Sequence, residues 1–429
     1  MKFFFEKSSL LPTDEIETRK KELSTYLEKL TAVLESGTYE ENESSICLPG
    51  DNKMTERVMQ LLAEKGIEKL KYIIDVGIGG SNLGTKAVYD ALYGYADTVE
   101  PERMPKILFF DTCDPEYVEK ALHVIKKIQN KEELLITIIS KSGGTTETIV
   151  NAEMVLSAFL QAGEEILERV VVTTDEDSPL WKTAVEKNIT VLAIPKLVGG
   201  RYSVLSPVGL FPLAAAGVDI KEVQRGALAA RELCVKNGDD ENPALISSIF
   251  LSFFYKQGKN IHDLFVFHPE FESLGKWYRQ LMGESIGKDG KGITPTVSVG
   301  STDLHSVAQL YLGGPKDKTT CFLSTAVSKK IKMPEKLHFP LVKDIGGKKL
   351  SDIMGAIQEG VMATYYNQKI PAISVILDDV SAFSLGEFMQ YKMIEIMLLG
   401  QLMGVNAFNQ PHVELYKTET KKILSKTTL

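Results

Sequence analysis

After Gly66 the chain alternates between short apolar runs rich in Val and Ile and longer stretches whose apolar residues recur at helical spacing. A short apolar run bounded by turn residues is typical of a buried strand, whereas apolar residues three and four positions apart are typical of a helix face. The pattern predicts strands at Tyr72–Val76, Lys106–Asp111, Leu134–Ser140, Val170–Thr174 and Val191–Pro195, and helices near 83–95, 115–128, 146–162 and 178–188. Strands alternating with helices favour a parallel sheet covered on both faces.

A second alternating region follows a mainly helical stretch that runs from Arg201 to about Tyr255. Its apolar pattern has the same two periods, and it predicts a second sheet of the same kind. The predicted strands are Leu264–Phe267, Thr296–Val299, Thr320–Ser324 and Ile373–Asp378, and the predicted helices lie near 272–285, 352–367 and 383–403.

Both ends of the chain are predicted to be helical, with amphipathic patterns over Thr13–Leu34 and Val413–Leu424. The predicted fold class is therefore α/β, with two doubly wound parallel-sheet αβα sandwiches, an N-terminal helical segment and a C-terminal helix. No Pro/Gly/Ser-rich linker separates the parts, so we expect them to share an interface. The expected parts are a helical segment at 1–65 that packs on the larger domain, a smaller αβα domain at 66–200 and a larger one at 201–429.

Composition places the chain among globular proteins, since 44% of its 429 residues are hydrophobic and 25% are charged. These values exclude disordered, collagen-like and coiled-coil proteins. Lys and Arg number 49 against 57 Asp and Glu, which gives a net charge of −8. An acidic chain of this kind is not expected to bind nucleic acid or an anionic membrane, although local charge can still attract a small anion.

Three features indicate the cellular compartment. Four widely spaced cysteines, with no CxxC pair and no zinc-type spacing, favour free thiols in a reducing cytosol. The apolar run at the N-terminus is broken by Glu6 and Lys7 before it reaches the length of a signal sequence. The longest apolar stretch, Pro207–Val218, is too short to cross a bilayer. We therefore expect a cytoplasmic enzyme without a membrane segment.

A glycine-rich turn, Asp75-Val-Gly-Ile-Gly-Gly-Ser-Asn-Leu-Gly84, lies between a predicted strand and a predicted helix. Backbone N–H groups at a helix N-terminus suit an anion. A dinucleotide-binding fingerprint would need glycine at positions 77, 79 and 82, but position 82 is Asn. The pattern therefore favours a phosphate cradle formed by Gly80 and Ser81, with a purely structural turn and dinucleotide binding as the alternatives.

A second loop, Ser140-Lys-Ser-Gly-Gly-Thr-Thr-Glu-Thr148, also follows a predicted strand and precedes a predicted helix. The hydroxyls of Ser140, Ser142 and Thr145 and the cation of Lys141 suit a phosphoryl group. Helix capping also explains hydroxyls followed by Glu, and both uses draw on the same backbone N–H groups. Because open α/β folds bind ligands at the carboxyl ends of their strands, the two loops together predict a phosphorylated small-molecule substrate.

Five further residues are candidates for chemistry on that substrate, and each has a structural alternative. Arg201, after two glycines, would hold an oxyanion or form a surface ion pair. Gln280 and Glu284 are one helical turn apart and face the same way, so Glu284 is either a base or a solvated carboxylate. His305 is an acid/base candidate or a structural histidine, and Lys417 by itself resembles a helix-surface lysine.

The order and context of these motifs resemble the phosphoglucose isomerase family, in its compact bacterial form, from about residue 66 to 424. The matching strings are GIGGSNLG, SKSGGTTET, VGGRYSVLSPVG, GESIGKDGKGITPTVSVGSTDLHS and NQPHVELYK. The resemblance implies two αβα domains of the sugar-isomerase type in a homodimer. It also implies the interconversion of glucose 6-phosphate and fructose 6-phosphate without a metal or an organic cofactor.

The resemblance further implies a role for each residue. Glu284 corresponds to the base that moves a proton between C2 and C1, and Arg201 balances the charge of the enediolate. Lys417 lies near the ring oxygen, while His305 opens the ring and reaches the sugar from the neighbouring subunit, so that the two active sites are shared. The implied substrate-binding residues are Gly80, Ser81, Ser140, Lys141, Ser142, Thr145 and Gln280.

These residue types fit the implied chemistry, because a proton alpha to a carbonyl is weakly acidic and needs a carboxylate base with a cation beside the developing oxyanion. Two alternatives stay open. A dual enzyme would also accept mannose 6-phosphate. A sugar-phosphate sensor would not need Glu284, His305 and Lys417 together and would usually carry a DNA-binding segment, so the sequence disfavours it.

Overall fold

A computed structural model describes residues 1–6, 8–128, 130–160, 164–235, 242–326 and 329–426 of the chain. The strands are β1 (Lys2–Phe4), β2 (Tyr72–Val76), β3 (Lys106–Phe110), β4 (Leu134–Ile139), β5 (Val170–Asp175), β6 (Thr190–Ile194), β7 (Ile261–Val266), β8 (Thr294–Val299), β9 (Lys318–Thr325) and β10 (Ala372–Leu377). The helices are α1 (Thr13–Ser36), α2 (Asn52–Lys65), α3 (Leu83–Tyr93), α4 (Pro115–Ile125), α5 (Thr146–Leu160), α6 (Pro179–Glu186), α7 (Pro207–Ala215), α8 (Ile220–Val235), α9 (Pro243–Lys256), α10 (Glu272–Ile286), α11 (Ala308–Gly313), α12 (Leu350–Asn367), α13 (Ala382–Met403) and α14 (Val413–Lys426).

The first sheet has five parallel strands in the order β3-β2-β4-β5-β6. Successive residues of a strand point to opposite faces of the sheet, and here the residues on both faces are mainly apolar. Ile73 and Leu135 pack with α2, α3 and α7, whereas their neighbours Ile74 and Ile136 pack with α4 and α5. This two-sided burial confirms the predicted αβα arrangement for the first sheet.

The second sheet has the order β1-β10-β9-β7-β8, in which β1 is antiparallel and the other four strands are parallel. Leu264 of β7 faces the same core as the first sheet, and Phe265 faces a smaller core with α11 and α12. One continuous core therefore joins the two sheets, with the almost fully buried helix α13 inside it. The predicted α/β fold with two sheets is confirmed.

The structure differs from the sequence prediction mainly near the N-terminus. Residues 1–65 were predicted to be helical, but Lys2–Phe4 form β1 on the edge of the second sheet, paired with β10. A strand of three residues is too short to show a period of two, and its conformation depends on its pairing partner at the other end of the chain. The last two residues of the helix predicted at 146–162 lie outside the described residues.

A buried polar network fixes α10 against α13. The Tyr278 hydroxyl donates to Glu395 Oε1 at 2.7 Å, and Lys392 Nζ donates to Glu395 Oε2 at 2.7 Å, with both charged side chains fully buried. The ammonium group also lies 4.8 Å from the centre of the Tyr278 ring. A buried charge that loses its partner is costly, and any shift of α10 would separate Tyr278 from Glu395. The network therefore holds α10 in one position. That position matters because the last turn of α10 carries Glu284.

Asp75, at the end of β2, makes the stability of this fold depend on pH. Its carboxylate is fully buried and accepts a 2.6 Å hydrogen bond from the Thr137 hydroxyl, and burial raises its pKa to about 7. The native state therefore keeps a proton that the unfolded state loses between about pH 4 and pH 7. The stabilising contribution of this proton is present below the unfolded pKa and is lost as pH rises through the folded pKa.

Asp75→Asn is therefore expected to gain stability relative to wild type as pH rises from 4 to 7, by at most about 4 kcal/mol. The amide oxygen can still accept from Thr137, but it does not titrate. Thermal or denaturant unfolding at several pH values measures the difference. Glu116→Gln, on the exposed face of α4, is the control that should show no such trend. A difference that stays constant from pH 4 to pH 7 would contradict the buried titration.

Candidate active site

The two glycine-rich loops lie at the carboxyl edge of the first sheet, as their positions after β2 and β4 require. They border a cleft with a volume of about 350 Å³. Nine of the eleven residues predicted for the site line it. These nine are Gly80, Ser81, Lys141, Ser142, Thr145, Arg201, Gln280, Glu284 and Lys417.

The glycine-rich turn after β2 makes an unusually close backbone approach. A Cβ atom added to Gly80 would lie 2.2 Å from the carbonyl carbon of Gly200, so no side chain fits there. Ser203 Oγ, in the loop that follows Gly200, donates to the carbonyl oxygen of Gly80 at 3.4 Å. The glycines therefore bring Ser81 and Arg201 to the same wall of the cleft.

The hydroxyl loop, residues 140–145, forms the opposite end of the cleft. Ser140, the first residue of the loop, is buried and does not line the cleft, and its Oγ lies 3.0 Å from Thr145 Oγ1. Gly143 has φ = 68°, a left-handed conformation that allows the loop to turn before α5 begins. Ser142 is exposed and lines the cleft. The loop therefore presents hydroxyls to the cleft at the N-terminal end of a helix, where an anion is favoured.

Lys141, in the same loop, is held on one side of the cleft. Its Nζ donates to Asp175 Oδ2 at 3.2 Å and to the carbonyl oxygen of Lys196 at 2.5 Å. Asp175 is the last residue of β5 and lies half-buried beside the hydroxyl loop. Burial raises the pKa of Asp175, while Lys141 acts against this change. The cation predicted for the loop is thus paired with a carboxylate.

Arg201 is not the surface ion-pair residue that was the structural alternative, because its side chain is only 1% exposed. Its guanidinium donates to Ser285 Oγ at 2.7 Å, to Gln410 Oε1 at 2.7 Å and to the carbonyl oxygen of Ala407 at 2.6 Å. These bonds tie α10 to the segment before α14. The guanidinium is therefore a fixed positive charge in the floor of the cleft.

Glu284 lies on the last turn of α10 with its side chain 29% exposed. Its Oε1 accepts a 3.1 Å hydrogen bond from Gln280 Nε2, and its Oε2 lies 3.4 Å from Arg201 Nη1. Lys288 caps the same helix end by donating to the carbonyl oxygens of Glu284 and Ser285, and burial lowers the pKa of Lys288 to about 8. The carboxylate is oriented from two sides and remains open to the cleft.

The C-terminal helix α14 closes the cleft on its outer side. Lys417 Nζ lies 2.7 Å from Glu414 Oε1, and this hydrogen bond lowers the pKa of Glu414. Both residues line the cleft, although no side chain of α14 is buried. Lys417 can therefore reach either a ligand in the cleft or its helical neighbour.

His305 is the one predicted catalytic residue that does not lie at the cleft. It ends a short 3₁₀ turn, Thr302–His305, after β8 of the second sheet, and it is exposed. Its side chain is not among those that line the cleft of the same chain. The structure thus leaves this histidine on the surface of the single chain.

Several residues that line the cleft were missed by sequence reasoning. Gln410 lies within the quoted NQPHVELYK string, seven positions before Lys417, and its position there was the available signal. Asp175 follows the same strand-end rule that singled out Ser140. The same signal was available for Glu147, which belongs to the quoted SKSGGTTET string, and for Glu414 and Tyr416, which belong to NQPHVELYK.

Neither a metal-binding cluster nor a membrane-spanning helix is found among the described residues. Within those residues, no cluster of three or more His, Cys, Asp or Glu side chains is arranged to hold a metal ion. No helix in the described part of the chain combines the length and apolar character that a bilayer-spanning helix needs.

Comparison with known proteins gives matches over most of the chain. The family model for phosphoglucose isomerase matches residues 52–316. Glucose-6-phosphate isomerase of Methanocaldococcus jannaschii is 34% identical over 363 residues, which cover 84% of this chain and 84% of that protein. This identity and coverage indicate common descent along nearly the whole chain.

Solved structures give the same result for the fold. A hypothetical protein from Thermus thermophilus has a TM-score of 0.85 at 28% identity, with 99% of both chains covered. A glucose-6-phosphate isomerase from Chlamydia trachomatis has a TM-score of 0.79 at 19% identity, with 97% of this chain and 87% of that chain covered, a likeness of fold alone. The family match, the identity to relatives and the cleft lined by the predicted residues lead to one conclusion: the chain belongs to the phosphoglucose isomerase family.

Proposed function

We propose that the cleft interconverts glucose 6-phosphate and fructose 6-phosphate. The observation that carries the proposal is the arrangement of Glu284, which faces the fixed cation of Arg201 at 3.4 Å, in a cleft that also contains a hydroxyl-rich loop at a helix N-terminus. A base, a cation for an oxyanion and a distant anion site are what an aldose–ketose isomerase of a sugar phosphate needs. Membership of the phosphoglucose isomerase family supports the same reaction.

In this proposal the 6-phosphate binds between the glycine-rich turn and the hydroxyl loop. Ser81, Ser142 and Thr145 line the cleft there, with Ser140 behind them. Hydroxyl and backbone N–H donors at the start of α5 suit a phosphate dianion. Binding energy from this remote group would hold C1 and C2 of the open-chain sugar at the other end of the cleft.

Proton transfer is assigned to Glu284. The carboxylate accepts from Gln280 and faces Arg201, and these contacts orient it for removing the proton from C2 and returning it to C1. Arg201 would stabilise the enediolate oxygen, because its guanidinium is held in place by three strong acceptors and needs no reorganisation. Lys417 would act near the ring oxygen, since it lines the outer wall of the cleft.

Ring opening is assigned to His305 of a second copy of the chain. The exposed position of His305 outside the cleft of its own chain supports this assignment. Exposed apolar side chains also support a homodimer: Phe339 is 82% and Leu341 is 87% exposed in the segment between β9 and α12, and Leu415 of α14 is exposed. Large apolar side chains exposed in one segment favour a surface that a partner covers.

A coupled assay on fructose 6-phosphate, run with and without EDTA, tests the proposed function. We expect steady formation of glucose 6-phosphate at the same rate in both conditions. Mannose 6-phosphate in a parallel assay measures tolerance for the other C2 configuration. A purified dimer that converts none of these sugars would overturn the proposal.

Cytoplasmic residence is part of the proposal, and the thiols support it. Cys47, Cys234 and Cys321 are buried and free, and burial raises the pKa of Cys234 to about 12 and that of Cys321 to about 11. Such thiols stay protonated and inert, as expected of structural cysteines in a reducing compartment.

The double substitution Ser142→Ala with Thr145→Ala tests the hydroxyl loop. We expect KM for fructose 6-phosphate to rise by about tenfold or more and kcat to fall as well, because the phosphate also orients the reacting carbons. Steady-state kinetics and inhibition by inorganic phosphate measure both effects. Thr183→Ala, on the exposed face of α6, is the matched control. Unchanged KM and kcat in the double variant would mean that the loop only caps α5.

A further inference from the structure

Asp175 places a negative charge beside the hydroxyl loop. This residue ends β5 and lines both the cleft and a neighbouring pocket of about 720 Å³, which also contains Tyr39, Ser178 and Lys196. Its backbone N–H donates to the carbonyl oxygen of Lys141 at 3.1 Å, and its Oδ2 accepts from Lys141 Nζ at 3.2 Å. Asp175 is therefore fixed to the hydroxyl loop through both its backbone and its side chain.

The pairing determines the charge at this end of the cleft. Lys141 is the only Lys or Arg of the hydroxyl loop, and its ammonium is held by Asp175 and by the carbonyl oxygen of Lys196. A lysine paired in this way contributes little net positive potential to a phosphate bound nearby. The carboxylate itself repels a dianion, and repulsion between partly desolvated charges is stronger than between charges in bulk water.

The second carboxylate oxygen gives an independent observation. Asp175 Oδ1 is buried and has no hydrogen-bond partner among the described residues. A carboxylate with one oxygen unsatisfied is less stable than one with both oxygens bonded. Part of the negative charge of Asp175 is therefore not neutralised by a hydrogen bond, which points to a role in binding.

We infer that Asp175 weakens phosphate binding at this end of the cleft. It holds Lys141 in a neutral pair and repels the bound dianion, and the phosphorylated product therefore leaves rapidly. This inference rests on the proposed function, because it takes the 6-phosphate to bind at the hydroxyl loop. Asp175 acts through Lys141 and through space, so it is a positioning and affinity-setting residue. Tight binding of substrate and product alike lowers KM without accelerating the chemical step, and it slows release.

Asp175→Asn tests the inference in the full-length protein. The inhibition constant of inorganic phosphate and KM for fructose 6-phosphate should both fall, by about threefold to tenfold, while kcat does not rise. The amide can still accept from Lys141, so the loop keeps its shape. Glu176→Gln removes the same charge at the next residue, which is exposed, and leaves the Asp175–Lys141 pair in place, so its effect on both constants should be smaller.

A second variant separates electrostatics from folding. Asp175→Ser removes the same charge with a smaller side chain and should also tighten phosphate binding, so that the inference remains testable if Asp175→Asn does not fold. In a Lys141→Met background, Asp175→Asn should tighten phosphate binding less than it does in wild type, because there is no ammonium to release. Calorimetric titration with inorganic phosphate provides a readout that does not depend on catalysis.

The outcomes distinguish this inference from the proposed function. Phosphate binding that weakens or stays unchanged in both Asp175 variants, in an active enzyme, would overturn the inference and leave the proposed function standing. A protein that binds phosphate more tightly after Asp175→Asn, but whose wild-type form does not isomerise fructose 6-phosphate, would support the inference and overturn the proposed reaction.

Discussion

Glu284→Gln is expected to lower kcat for fructose 6-phosphate by about a thousandfold, while the inhibition constant of inorganic phosphate changes by less than about twofold. The amide has the shape of the carboxylate but cannot accept a proton from C2. The phosphate end of the cleft, at the hydroxyl loop, is built from other elements and should not change. A loss confined to kcat is the signature of a group that acts in the transition state.

The structure indicates that this variant will fold. Arg201 retains Ser285, Gln410 and the carbonyl oxygen of Ala407 as acceptors after the charge of Glu284 is lost. Glu272→Gln, at the first turn of the same helix, is the matched control, because it makes the same chemical change away from the cleft. The control should retain wild-type kcat. A Glu284→Gln enzyme that keeps more than about a tenth of wild-type kcat would rule out Glu284 as the base.

The first sheet could be predicted from the sequence because its strands are apolar on both faces and each is bounded by turn residues. Tyr72–Val76 was predicted with the bounds that the structure gives, and the other four strands differ by one residue at one end or at both ends. Strand β1 could not be predicted in the same way, because Lys2–Phe4 are extended only through their pairing with β10. The local pattern of apolar residues predicts strands whose own residues are buried on both faces. It fails for a strand such as β1, whose conformation depends on pairing with a strand far away in the sequence.

The candidate site, like the fold, could be predicted from the sequence only in part. Ser140, Ser142 and Thr145 follow a strand directly, so their common location could be inferred from topology. The burial of Arg201 could not, because it depends on acceptors in α10 and in the distant segment around Ala407. Gln410 belongs to the same long-range contact. Single residues at strand ends indicate a site, while the contacts that tune it are visible only in three dimensions.

His305 provides the second prediction with a large effect, since the proposal assigns Glu284 and His305 of one active site to different chains. Homodimers of Glu284→Gln and of His305→Ala should each be nearly inactive. When the two variants are unfolded together and refolded as an equal mixture, random pairing should make about half of the dimers hybrid. In each hybrid, one active site receives both substitutions and the other receives neither.

The mixture should therefore recover about a quarter of wild-type activity, because half-active hybrids make up half of the molecules. Native mass spectrometry counts the hybrids, and wild-type protein refolded in the same way gives the reference activity. The exposed position of His305, outside the cleft that contains Glu284 of its own chain, is the structural reason to expect recovery. If both residues served one site of one chain, every site in the mixture would carry a defect. Hybrids that form in the expected number but remain inactive would exclude shared active sites and place His305 in another role.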